Sequence, residues 1–258
     1  MTGQIRYHAA DAQGIARVEI AHPGKLNALS VAMWSELRSV FEALKAQAPA
    51  PRVVVVHGAD GAFVAGADIE EFPRFRFDEE SLRSYHDSLV APALRAMLDV
   101  DVPLVAAIEG PCVGGGLEIA ACCDLRVAGR GARFGIPVAR LGFPVAPREA
   151  EILAERLGLP LVRELLLEAR LLDAAEAQRR GVVQHVVDDD AVLAQARRLA
   201  ERVAALSPQA LALNKQVLRQ IAQGGTNAEL RDRFFAFADS REHREGIAAF
   251  LEKREPKF

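Results

Sequence analysis

Lysine is scarce in this chain of 258 residues: Lys25, Lys45, Lys215, Lys253 and Lys257 are all there is, so a Schiff-base mechanism has few candidates. Cysteine is scarcer still. Cys122 and Cys123 are adjacent and Cys112 stands in a Gly/Pro loop, which provides neither a disulfide framework nor C-x-x-C metal spacing. Reduced, structural thiols are the expectation. The histidines His8, His22, His57, His86, His185 and His243 show no metal spacing and no partnered nucleophile, so surface or strand-end roles are expected for each. The sequence has no G-x-S-x-G elbow, no G-x-G-x-x-G fingerprint and no P-loop, which argues against a serine hydrolase and a dinucleotide site. It also has no basic block and a formal charge of −3, so nucleic acid is not an expected partner. No apolar run nears the length that spans a bilayer, and the start "MTGQIRYHAADAQG" lacks the regions of a signal peptide. A soluble, cytoplasmic protein with no membrane partner is expected.

What is present suits a substantial buried core: 50% of residues are apolar, enough for one or two domains. Short apolar runs at 16–21, 52–58, 103–110 and 124–129 predict strands, the second and third continuous enough to be covered on both faces. Between them lie helical patterns. Ser30 is a predicted N-cap ahead of Met33, Leu37, Val40, Phe41 and Leu44, and a second amphipathic run extends from Leu82 to Met97. Strand and helix in alternation predict an α/β fold with a mostly parallel sheet. After Arg133 the strands thin out to one candidate at 182–187, and the last third carries helix-start signals at 173–176, at Ser207-Pro208 and at 226–229. A boundary near residue 190 separates an α/β core (1–190) from a C-terminal helical region (191–258).

Two stretches are built from very small residues. "AFVAGADIEEF" (62–72) places Ala62, Ala65, Gly66 and Ala67 ahead of acids, and such side chains leave main-chain N–H groups open to a ligand or simply form a tight loop. "IEGPCVGGGLEIAACCD" (108–124) follows a predicted strand and opens a helix with Gly114, Gly115 and Gly116. A helix N-terminus carries unpaired N–H groups and partial positive charge, so it can hold an oxygen that becomes negative. Glu118 lies three residues beyond Gly115, on the same helical face, which puts an oxyanion donor and a proton-moving carboxylate on one wall. Close helix packing and complementing of the helix dipole are the alternative roles of these residues.

With "HPGKLNALS" (22–30), "VGGGLEIAACCDLRVA" (113–128), "ARFGIPVARLG" (132–142), "EAQRRGVVQHVV" (176–187) and "SREHREGIAAFLEKREPKF" (240–258), these stretches resemble the crotonase, or enoyl-CoA hydratase/isomerase, superfamily over nearly the whole chain. The resemblance implies a crotonase-like spiral of ββα units with a C-terminal helical trimerisation region, a homotrimer or dimer of trimers, and an acyl-CoA thioester as ligand. Coenzyme A belongs to the substrate, and no separate cofactor or metal is implied. It implies that the N–H groups of Ala67 and Gly115 grip the thioester oxygen and that Glu118 is a catalytic acid/base. Lys25, Leu26, Ala28, Ala65, Asp68 and Ile69 match the CoA-contacting loops, Gly114, Val138 and Leu141 line the substrate site, and Phe250 and Lys253 are weaker candidates for CoA contacts.

The chain departs from the family pattern at Val138 and in the run that follows it. A second glutamate is expected after "FGIP", and Val138 stands there, followed by a reshaped segment "PVAPREAEILAERLG" (144–158). Arg140, Arg148 or Glu149 could turn inward in compensation, although a solvated charge at a helix start is the ordinary state of such residues. The implied activity is an acyl-CoA-processing enzyme acting through a stabilised enolate, a hydratase or isomerase. A binding protein that has lost its chemistry, or a thioester hydrolase or decarboxylase, is the alternative that Val138 raises.

Overall fold

A computed structural model describes residues 2–258, and its centre is a strand of consecutive valines whose alternate side chains enter two different cores. The strands are β1 (Gln4–His8), β2 (Ile15–Ala21), β3 (Val53–Gly58), β4 (Leu104–Ile108), β5 (Pro111–Val113), β6 (Leu125–Gly129), β7 (Arg133–Gly135), β8 (Leu172–Asp173) and β9 (His185–Val187). The helices of the core are α1 (Val31–Ala46), α2 (Glu79–Ser84), α3 (Ala91–Leu98), α4 (Gly115–Cys122), α5 (Pro147–Leu157), α6 (Leu159–Leu167) and α7 (Ala174–Arg179). They are followed by α8 (Val192–Ala204), α9 (Pro208–Ala222), α10 (Ala228–Phe234) and α11 (Arg241–Glu252).

A six-stranded sheet runs β1-β2-β3-β4-β6-β9, with only β1 antiparallel to its neighbour, and a three-stranded sheet runs β5-β7-β8. Strands β3, β4 and β6 of the large sheet each feed the smaller layer and then helical structure. β4 leads to β5 and α4, and β6 leads to β7 and α5, while β3 leads to Val64, which bridges Cys112 beside β5. Because successive side chains of a strand point to opposite faces, Val54 and Val56 pack with Trp34, Leu37, Phe41 and Leu94. Val53 and Val55 pack instead with Val192, Ala196, Leu199 and Val203 of α8. The helix that starts two residues past the boundary expected near residue 190 therefore covers one face of the sheet.

The predicted strands at 16–21, 52–58, 103–110, 124–129 and 182–187 correspond to β2, β3, β4, β6 and β9, and Ser30, Asp173 and Ser207 cap their helices with their side chains. The small sheet was not predicted, since strands of two or three residues carry no period to read. The run from Leu82 to Met97 is not one regular helix either: a π-helical turn at Tyr85–Val90 separates α2 from α3. No helix among the described residues is long and apolar enough to cross a membrane.

One latch fixes the segment that precedes α1. Asn27 is buried in the left-handed region (φ 58°), where asparagine is tolerated better than most residues. Its side chain accepts from the His22 N–H (2.8 Å) and donates to the carbonyls of Ala59 (2.9 Å) and Ala62 (2.6 Å), which ties residues 22–30 to the loop after β3. Asn27→Ala orphans these buried groups and is expected to destabilise the fold by about 2 to 4 kcal/mol in urea titrations. A loss below about 0.5 kcal/mol would show that the latch contributes little.

Candidate active site

Three chain segments lie side by side at the edge of the small sheet. Leu29 donates to the Gly66 carbonyl (2.7 Å) and accepts from Asp68 (2.8 Å), while Val64 exchanges bonds with Pro111 (2.9 Å) and Val113 (3.1 Å). Gly66 (φ 110°) and Gly114 (φ 54°, ψ −122°) sit where a side chain is strongly disfavoured, and these two bends expose the amides that follow them. The N–H groups of Ala67 and Gly115 have no acceptor among the described residues, whereas their neighbours Asp68 and Gly114 are bonded to Leu29 and Gly135. Gly115 opens α4, so the helix dipole adds to its N–H. Both residues line a cavity of about 290 Å³.

Glu118, one turn into α4, lines the same cavity and is 6% exposed. No ion-pair partner of its carboxyl is found among the described residues; burial pushes its pKa up, and nearby Glu149 adds to the rise. Glu149 is the third residue of α5, yet it is not solvated: it is 3% exposed and lines the cavity, against the ordinary expectation for a helix-start acid. Pro147 begins the helix, and in its first turn Pro147 and Arg148 are exposed while Glu149 is buried. Both carboxyl oxygens of Glu149 lie at hydrogen-bond distance from His86 Nδ1 (2.9 and 3.0 Å). Burial raises Glu149 above the usual carboxylate range, opposed by the charge of Arg76, and burial lowers His86. Their contact is therefore a hydrogen bond in which burial acts against charge on both partners. The charge of Glu149 raises Glu118, and two carboxyls that repel in an apolar cavity favour the state holding one proton between them.

Ala65, Ala67, Ile69, Gly114, Gly115, Glu118, Val138 and Leu141 all line the cavity. Val138 belongs to the 3-10 turn Pro137–Leu141 and presents only an apolar wall. Lys25, Leu26, Ala28 and Asp68 do not line it. They form a ledge beside it, where Ala65 donates to the Leu26 carbonyl (3.1 Å) and Lys25 bridges Asp68 (2.6 Å) and Glu70 (2.8 Å). Of the other charges, Arg140 is an exposed lining residue and Arg148 turns away to Asp87 (3.4 Å). Phe250 and Lys253 lie outside the cavity lining. Asp124 ties elements together by accepting from the Leu104 N–H (2.8 Å) and Lys215 (2.7 Å).

Several lining residues escaped the sequence reading. Tyr85 and His86 come from the π-helical turn, a distortion that often marks functional sites but leaves no clear mark in an amphipathic pattern. The Tyr85 hydroxyl accepts from Trp34 Nε1 (3.1 Å) and its ring stacks on Phe75. Phe72, Phe143 and Arg76 also belong to the lining.

The raised carboxyls have a thermodynamic consequence. Between the ordinary carboxylate range and the raised values, the folded state holds protons that the unfolded chain has released, so stability falls as pH rises through that window. Between about pH 5 and about pH 8.5, the wild type should lose on the order of 1 to 3 kcal/mol more than a Glu118→Gln, Glu149→Gln double variant. Parallel curves for the two proteins in urea titrations at both pH values would contradict the shifts.

The enoyl-CoA hydratase/isomerase family model matches residues 10–258. A 2,3-dehydroadipyl-CoA hydratase of Escherichia coli is 34% identical over 250 residues, covering 95% of each chain. Among solved structures, an enoyl-CoA hydratase/carnithine racemase from Magnetospirillum magneticum superposes with a TM-score of 0.92 at 36% identity, covering 98% of this chain and 94% of that one. An enoyl-CoA hydratase from Bacillus anthracis gives 0.87 at 27% identity, covering 98% of each. The crotonase-like fold expected from the sequence is the fold observed, and a match of this extent makes the chain a member of the enoyl-CoA hydratase/isomerase family.

Proposed function

We propose that this chain adds water across the double bond of a 2-enoyl-CoA thioester, with Glu118 as the base and Glu149 as the acid. The observation that carries this reading is the sharing of one cavity by two buried carboxyls, both raised and unable to ionise together without repulsion. The thioester oxygen accepts from the Ala67 and Gly115 N–H groups. Ionised Glu118 takes a proton from water as its oxygen bonds to carbon 3, and the displaced electron pair moves through carbon 2 onto the thioester oxygen. Collapse of that enolate takes a proton from Glu149 at carbon 2 and leaves a 3-hydroxyacyl-CoA. The proton gained by Glu118 passes back across the pair, so the site is regenerated without a cofactor. Each oxyanion donor is worth ~3 to 4 kcal/mol of barrier, and each acid or base step roughly 10²- to 10⁴-fold.

Glu149 thus takes the role that the family pattern gives to the position of Val138, while His86 holds its carboxyl through Nδ1. The ledge formed by Lys25, Leu26, Ala28 and Asp68 faces the CoA portion. Exposed Leu218, Ile221, Ile247, Phe250 and Leu251 on α9 and α11 support assembly into a trimer or a dimer of trimers.

Glu118→Gln and Glu149→Gln are each expected to slow crotonyl-CoA hydration by roughly 10²- to 10⁴-fold while affinity for saturated butyryl-CoA stays within about 3-fold. Full activity in either variant would remove that residue from the mechanism. If the wild type leaves the α-protons of butyryl-CoA unexchanged in heavy water by NMR and hydrates nothing, it is a binder and not an enzyme. Light scattering should give three or six times the 27.9 kDa chain mass, and a monomer would exclude the assembly.

A further inference from the structure

The cavity lining holds a cation that makes no bond in the proposed chemistry. Arg76 lies in the cavity lining with its guanidinium carbon 4.3 Å from the ring centroid of Phe72 and 3.8 Å from that of Phe143. The two rings meet edge to face (5.9 Å), and the guanidinium lies over both of them, which restricts its freedom. Nε is buried with no hydrogen-bond partner, and no carboxylate among the described residues contacts Arg76, although the charge of Glu149 acts on it. An unpaired, partly desolvated guanidinium costs free energy that a well-placed anion recovers, and its fork of donors matches a carboxylate.

The other charged groups of the lining make the choice of ligand narrower. Glu118 and Glu149 stand near the reacting carbons and repel an anion there, and Glu149 already spends both of its oxygens on His86. Arg140 is exposed and hydrated, so it discriminates weakly. A negative group on the substrate is therefore held only where the attraction of Arg76 outweighs that repulsion, against its guanidinium. We infer that the geometry selects acyl chains ending in a carboxylate: the substrate class is an ω-carboxyacyl-CoA thioester whose distal carboxylate accepts hydrogen bonds from Arg76 between Phe72 and Phe143. This inference rests on the reading of the cavity as an acyl-CoA site. The reaction that supplies such a substrate must leave a thioester at one end of a dicarboxylic chain.

The test is a binding measurement, because Arg76 also influences Glu149 and rates alone would mix the two effects. Isothermal titration would compare saturated ω-carboxyacyl-CoA esters of four to eight carbons with neutral esters of equal length, for instance adipyl-CoA against hexanoyl-CoA. At the best-fitting length the wild type should bind the carboxylate ester roughly 10- to 150-fold more tightly. Arg76→Met should abolish that preference while keeping hexanoyl-CoA affinity, and Arg76→Lys, which keeps the charge without the fork, should retain part of it. Equal or tighter wild-type binding of the neutral ester at every length overturns the inference. So does a preference that survives in Arg76→Met, or an equal loss for both esters in that variant. Failure of the wild type to bind either ester would instead remove the acyl-CoA reading itself, and this inference with it.

Discussion

The site depends on two backbone bends that only glycine adopts without strain. Gly66 and Gly114 each turn the chain so that the next N–H, at Ala67 and Gly115, is left without an internal acceptor. An unpaired amide inside a protein is costly, and it persists here because the flanking residues are bonded on both sides: Leu29 to Gly66 and Asp68, Gly114 to Gly135, Val64 to Pro111 and Val113. The ladder fixes both amides while the fold leaves a cavity in front of them, which is the preorganisation that the proposed grip on a ligand oxygen requires.

The carboxyl chemistry is arranged around that fixed pair. Glu118 follows Gly115 on α4 and cannot be placed independently of it, whereas the second acid sits on a separate element. In this chain the turn after β7 contributes Val138, and the acid comes from the first turn of α5, which Pro147 starts. Glu149 is held by His86 from the π-helical turn, so the pair assembles from three parts of the sequence. Keeping two acids in an apolar cavity shifts both toward the neutral form, and that is the condition under which one can give a proton while the other takes one.

Much of this was legible in the sequence where the signal was local. The valine run of β3 announced a strand covered on both faces, the glycine triad announced an open helix start, and Glu118 followed from helical spacing. Glu149 was one of three charges that could turn inward, and the sequence did not single it out, because whether such a charge faces water or a cavity is decided by how α5 packs, not by its own neighbours. Arg76 was passed over, and His86 was expected at the surface or a strand end but lines the cavity, for a related reason: the first draws its meaning from Phe72 and Phe143, and the second from a turn whose extra residue leaves no break in amphipathicity. The short strands β5, β7 and β8 exist through pairing with one another, so no run of residues announces them.

The central claim is that the amides of Ala67 and Gly115 polarise one thioester carbonyl. Isotope-edited infrared difference spectra of a 2-enoyl-CoA labelled with carbon-13 at the thioester carbonyl measure this directly. The account predicts a carbonyl stretch shifted to lower frequency on binding, with the shift retained in a Glu118→Gln, Glu149→Gln variant that cannot turn the ester over. A bound ester whose carbonyl stretch matches its value in water would contradict it.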